Sequence, residues 1–339
     1  MGLADPRARG RISSRSMVLG AIGLAGLLVL IAQIGWDAVF QSIQIAGWGG
    51  YAALMASQLM LTIPLALAWR CICPQLSLAV LLRARLLRDA AANCLPFTAL
   101  GGFAFGAVVL TRETRVGWRL ALTATAVDAI MEFAGQVLFI GLGLVVLTTA
   151  RTQSALIGPV SAVLATGVFV ASLALVLVGR STRLRCLFLR RLEARLDDGR
   201  PSDSTSIEHL LDRMFQRRWR LVQSAGCHLL AWLGTGLVTW LTLILLGQRI
   251  GVMPAIAIEA LQTAVRALSF FVPAAIGVQE AGYVLVAAAF GVGAGPAVAL
   301  SLLRRARDMG VGLPVLACSQ LAAARCFRRR SVNKTGDVL

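Results

Sequence analysis

Along this chain apolar residues come in long unbroken runs separated by short arginine-rich pieces, not in the stripes of a water-soluble helix bundle. Six runs, about 17–35, 48–69, 120–149, 153–179, 221–248 and 296–322, approach or exceed the roughly 20 residues that cross a bilayer as a helix. Two more, 80–111 and 252–293, are apolar but interrupted by Pro96 and Pro273. In lipid every backbone N–H and C=O must be bonded within its own segment, so the runs predict an all-α polytopic membrane protein. Run 17–35 follows Arg7, Arg9, Arg11 and Arg15 and precedes no small-residue cleavage pattern, so it is expected to be a retained helix rather than a signal peptide.

The polar positions between the runs predict orientation. Cytoplasmic flanks are rich in Lys and Arg, which places the basic N-terminus 1–16, the loop 180–220 with its eleven arginines, and the basic tail 323–339 on the cytoplasmic side. Counting back from 180–220 puts Arg112, Arg115 and Arg119 on that side too, together with Arg83, Arg85 and Arg88. Only 23 residues separate Arg88 from Arg112, too few for two crossings. That segment is expected to be a re-entrant hairpin with its tip at Asn93–Gly102. Segment 252–293 must leave and return on the outer side; two full crossings would fit, and a second re-entrant hairpin is the preferred reading.

The preference comes from an internal repeat. With Pro96 laid on Pro273, "RDAAANCLPFTALGGFAFGAVVL" falls on "RALSFFVPAAIGVQEAGYVLVAA", with Pro, a following Gly and an apolar tail in step. The single domain 17–322 is thus expected to hold about six transmembrane helices and two hairpins, as an inverted repeat of about 80–149 and 252–322. Broken helices facing each other near mid-membrane are how many secondary transporters are built, and non-helical backbone at that depth survives only beside protein or a water-filled cavity.

The candidate chemistry lies on these pieces. Asp128, Glu132 and Gln136 share one helix face at i, i+4, i+8. Arg304, Arg307 and Asp308 share another at i, i+3, i+4, with Arg305 turned aside, and Arg304 is placed to pair with Asp308. Ionised side chains facing lipid cost about 2.5 to 3.5 kcal/mol each, so both sets should face one interior, acidic helix against basic helix. Two roles fit them equally: binding a lipid head group or coupling ion, and a buried ion-pair lock between the repeats. Gln279 and Glu280 begin a half-helix beyond Pro273 and Gly277 and are better placed for function. Glu259, Gln262, Thr263 and Arg266 share a face that either lines the cavity or reaches the outer surface. Ile207, Leu210, Leu211, Met214, Phe215 and Trp219 form an apolar stripe, expected on the membrane surface with its arginines at anionic lipid head groups.

Composition narrows the rest. The chain is 58% hydrophobic and 14% charged, with net charge +17. Such a charge would suit nucleic acid, but its location between spans argues against that partner. Seven cysteines form no C-x-x-C pair, so free thiols are expected and no metal or cofactor is called for. His209 and His228 have no ligand-spaced companions and are expected to stand outside the chemistry. No HExxH, GxSxG or Walker A pattern occurs, and the chain is not expected to be an enzyme.

The stretches "RLLRDAAANCLPFTALGG", "ATAVDAIMEFAGQVLF" and "FFVPAAIGVQEAGYVLVAAAFGV" with "AVALSLLRRARDMGVGLP" resemble the flippase-like membrane family that includes the transmembrane region of lysylphosphatidylglycerol synthase. Within it they are most similar to short free-standing members associated with hopanoid biosynthesis. The resemblance runs over about 15–322. It implies a bacterial inner-membrane protein that handles hopanoid-like lipid or phospholipid, and is compatible with a homo-oligomer. It puts Asn93, Pro96, Gly101 and Gly102 at one tip, Asp128 and Glu132 on the next helix, and Pro273, Gly277, Gln279, Glu280, Arg304, Arg305, Arg307 and Asp308 in the other half. Phe103 stands where relatives often carry a polar residue after the glycine pair, so a carboxylate at each tip is not implied. With 17 residues after the last span, the soluble catalytic domain of the bifunctional relatives is not expected.

Overall fold

A computed structural model describes residues 36–94, 106–111, 116–149, 157–181, 207–268 and 277–336, with a few positions between 183 and 191. Every regular element among them is a helix: α1 Trp36–Ile72, α2 Leu78–Cys94, α3 Trp118–Thr149, α4 Ile157–Arg180, α5 Ile207–Gln216, α6 Arg218–Leu245, α7 Val252–Leu268, α8 Val278–Ala288 and α9 Ala294–Gly336. The first expected span, 17–35, lies outside the described residues, as do the tip residues Pro96, Gly101, Gly102 and Pro273.

By length and apolarity three helices can cross a membrane: Phe40–Ile72, Trp118–Thr149 and Arg218–Leu245. Their outer faces are apolar and exposed, with Met60, Leu138, Val145, Val222 and Leu230 pointing away from the core, as a lipid-facing surface requires. The expected start of the second span near 48 appears as a kink: α1 runs through from Trp36, but Gly47 takes φ +74°. That left-handed backbone suits glycine and bends the helix there. Helix α9 carries four charges in its interior, and α4 is exposed along Phe169, Val170, Leu173, Val176 and Leu177.

Helix α6 is the hub, packing on α1, α3 and α7. Small residues set these approaches. A Cβ on Gly143 of α3 would lie 2.6 Å from Ala260 Cβ on α7, and one on Gly236 of α6 would lie 2.8 Å from Ile256. Helices in lipid gain little from burial alone, so such close van der Waals contact is what joins them. Several core hydroxyls bond to their own helix, as Thr125 Oγ1 donates to Ala121 O and Thr242 Oγ1 to Val238 O.

The two interrupted segments each give short helices that fold together. After α2, residues 106–111 return as a helical turn, with Gly106 against Arg88, Thr125 and Trp69 and with Ala107 and Leu110 fully buried among Trp69, Ala84 and Ala121. After α7, α8 packs back on it, where Gly282 meets Gln262 and Val265. The expected membrane-surface helix is α5, but its stripe points elsewhere. Ile207 and Leu211 are buried and Met214 and Phe215 packed against the core cluster containing Leu81 and Trp118, because the protein itself supplies the apolar partner. Trp219 remains 71% exposed.

Candidate functional site

Two clusters of buried charge flank α6. The first is built on α2 and α3. Ser77 starts α2 by accepting from the N–H of Val80 at 3.4 Å, and Arg85, Arg88 and Asp89 follow on its inner side. Arg88 donates to Asp128 Oδ2 at 2.7 Å and to Glu132 Oε2 at 2.6 Å. Arg85 reaches the same two carboxylates, at 3.4 Å and 2.7 Å, and its Nε holds Asp89 at 2.9 Å. The Arg88 guanidinium lies 5.9 Å from the ring centre of Trp69, itself fully buried. On the other side of Asp128, His228 Nε2 of α6 lies 3.0 Å from Oδ1, both side chains being fully buried.

The second cluster is built on α7, α8 and α9. Glu259 accepts from Thr239 and from Tyr283, each at 2.7 Å, and is paired with Arg304. Glu280 does two things at once: it accepts the N–H of Gly277 at 2.8 Å, closing the start of α8, and it accepts from Arg305 Nε, also at 2.8 Å. Ser301 donates to Glu280 at 3.3 Å and accepts from Gln279 Nε2 at 3.2 Å. Gln262 donates to the backbone oxygen of Gln279, tying α7 to α8. Arg266 is within electrostatic reach of Glu259, Arg304 and Asp308.

These contacts correct four expectations. The acidic stripe does not face Arg304, Arg305 and Arg307; Asp128 and Glu132 are engaged by Arg85 and Arg88, while Arg304 and Arg305 hold Glu259 and Glu280. Each half satisfies its own charges even though the arms pack on the other half's long helix, α2 on α9 and α7 on α3, because the long guanidinium side chains reach across to the carboxylates. Arg304 does not pair with Asp308, whose partner is the adjacent Arg307 at 2.8 Å. Arg85 and Arg88, used as markers of the cytoplasmic flank, are interior groups 3% and 5% exposed, whereas Arg83 is on the surface. His228, expected to stand apart, is an integral contact of Asp128. Gly277 sits at φ +77°, yet a Cβ there would meet nothing within 4 Å, so only the backbone conformation demands glycine.

The sequence held one signal for the pairs that reasoning missed. Laying Pro96 on Pro273 is an offset of 177 residues (273 minus 96), and it carries Asp128 onto Arg305 and Gly135 onto Gly312. The charged sites of the long helices thus correspond with opposite sign, so their partners must also invert.

Two small cavities adjoin the clusters. One is lined by Thr239, Tyr283, Arg304 and Arg307, the other by Asp89, Asn93, Asp308, Gln58, Thr62 and Gly312. Each has room for about one water molecule, and neither holds a whole lipid. Asp128, Glu132 and His228 bring ligand atoms within 4.8 Å of one another, a spacing a metal would accept. Two guanidiniums already press on those carboxylates, so a dication would meet positive charge at contact distance, and the arrangement is an ion-pair lattice.

A chain whose described elements are all helices, with three long and apolar enough to cross a membrane and charged side chains buried between them, is a multi-pass membrane protein. The chain matches the family described as lysylphosphatidylglycerol synthase TM region over residues 17–315, and belongs to it. Neither a curated protein nor a solved structure shows detectable similarity to it.

Proposed function

We propose that the protein moves a lipid, hopanoid or a related one, between leaflets of a bacterial inner membrane, with both termini cytoplasmic. The observation that carries this reading is the pair of buried charge clusters, each lying where an interrupted helix packs against a long one. Buried ion pairs are poor stabilisers, because desolvation offsets their attraction, so two of them inside a membrane protein point to a polar path that opens. The short helices α2, α7 and α8 and the turn 106–111 act as re-entrant hairpins, one from each side, and a lipid head group replaces part of an ion pair as the path opens. The apolar body of the lipid stays in the bilayer beside the exposed faces of α1 and α4. The basic stretch around α5 attracts anionic head groups at the cytoplasmic surface. Catalysis of a lipid modification is a weaker reading, because Asp128 and Glu132, the visible acid and base candidates, are both held by guanidiniums.

Reconstitution in liposomes with fluorescent hopanoid and phospholipid analogues tests the reading. Transfer of label between leaflets, lost in Glu280→Gln at equal folded yield, is the expected result. A modified lipid product would replace the carrier with an enzyme, and neither transfer nor product would leave an accessory subunit of a lipid-synthesis assembly. Topology is tested by labelling a single cysteine at Thr111 in intact cells: reaction from the outer side would overturn the first hairpin.

A further inference from the structure

The first cluster contains a group that no ion pair explains. His228 is fully buried ten residues into α6, about 15 Å from its start. Asp128 lies ten residues into α3, and the two helices run in the same direction, as Gly135 packs on Ala225, His228 and Leu229 while Phe139 stacks on Trp232. Nε2 of His228 is taken by Asp128 Oδ1. Beside an ionised carboxylate that nitrogen carries the hydrogen, which leaves Nδ1 as a bare acceptor. Nδ1 has no hydrogen-bonding partner, and neither does the fully buried Oγ of Ser224, one turn earlier on the same face. Buried polar atoms are nearly always satisfied, so two orphans one turn apart on one helix face mark a place for an ordered water or a proton-bearing partner.

The charges point the same way. Among the described residues, Arg85 and Arg88 face Asp89, Asp128 and Glu132, two positive groups against three negative ones. Just past the end of α1, the thiol of Cys73 is near Asp128. On α5 the charged residues Glu208, Asp212 and Arg213 are exposed, and α7, α8 and α9 direct Glu259, Glu280, Arg304 and Arg305 into the other cluster, while Asp308 of α9, paired with Arg307, lines a cavity with Asp89. One more positive charge beside Asp128 balances the group.

We propose that His228 is a proton-binding site, loaded at Nδ1 through Ser224, and that this proton drives the lipid movement proposed above. Nδ1 accepts one proton and Ser224 Oγ, directly or through one water, accepts the new N–H; no other bond forms or breaks, and the proton leaves by the same lone pair on the opposite side. Loading places a full positive charge on the His228 ring, beside Asp128, and weakens the carboxylate's demand on Arg88 and Arg85. Those guanidiniums are then available to the phosphate or other anionic group of a lipid, which the unprotonated cluster, one charge too negative, repels. The coupling rests on the transport reading; the proton site does not.

The experiment follows the histidine ring by nitrogen NMR in the full chain, held in lipid nanodiscs. His209→Gln, at an exposed position on α5, leaves His228 as the single reporter. The ring should pass from one protonated nitrogen to two as the pH is lowered. Ser224→Ala, a mild change expected to fold, should lower the midpoint, since the charged form loses its acceptor. A ring that keeps one form as the pH is lowered, or an unchanged midpoint in Ser224→Ala, overturns the site. In liposomes, a pH gradient should speed lipid transfer by about tenfold in the parent and not in His228→Gln, a change of about 1.4 kcal/mol. Transfer indifferent to the gradient would overturn the coupling while lipid transport stands. A titrating ring with no transfer at any pH would overturn transport and support the proton site.

Discussion

The two halves of the molecule place charge at corresponding points and give it opposite sign. In the first, the arm α2 is basic and the long helix α3 acidic; in the second, the arms α7 and α8 are acidic and the long helix α9 basic. An ion pair is indifferent to which partner carries which charge, so a repeat can keep the pair while exchanging its residues. What differs is the finish. The second cluster recruits neutral donors, Thr239, Tyr283 and Ser301, and balances two carboxylates with Arg304 and Arg305. The first has an excess carboxylate and a histidine. Both draw a polar group from α6, His228 for one and Thr239 for the other. Eleven residues apart, these share a helix face about 16 Å apart, so one helix joins both sites.

The harshest way to break this comparison is to remove one side of the first pair. Arg88→Met leaves Asp128 and Glu132 short of a buried partner and should cost about 3–5 kcal/mol, read as a lowered unfolding midpoint or loss of the folded species in detergent. Inverting the second pair sharpens it. Glu259→Arg and Arg304→Glu should each destabilise by a similar amount alone, and the double variant should recover part of the loss because it recreates the polarity of the first half. Pairing can then be measured directly. A double-mutant cycle for Asp128 with Arg88 should show about 0.5–3 kcal/mol of coupling, while Asp128 with Arg305 should be additive. Coupling in the second cycle and not the first would reverse the assignment of partners. The smallest effect belongs to the start of α8, which has no described counterpart in the first half. Gly277→Ala should cost about 1–2 kcal/mol by thermal unfolding, and Gly277→Leu about the same, because the penalty comes from φ and the space around it is open.

Much of this was written in the order of residues. The apolar runs fix helices because lipid leaves a backbone no other way to bond, and α3 and α6 begin within three residues of the expected spans. The breaks were legible because proline and glycine punctuate local backbone wherever they occur: α2 ends and α8 begins on either side of the segments that contain them. That Asp128, Glu132, Glu280 and Arg305 are interior followed from the cost of exposing charge to lipid.

Partnership was decided elsewhere. Arg85 and Arg88 read as flanking arginines, since a guanidinium at the edge of an apolar run looks the same whether it snorkels to water or folds inward. Only the tertiary placement of α2, packed on α1 and α9 with its arginines reaching α3, turns them in. Likewise a lone histidine 100 residues from Asp128 carries no spacing that betrays the contact; α3 and α6 must first lie side by side, with Gly135 letting them approach. Local chemistry determines which segments are helical and which groups must be hidden, because those rules act on a residue and its solvent. Which hidden charge meets which is a matter of distances between helices, and these exist only after the helices have packed.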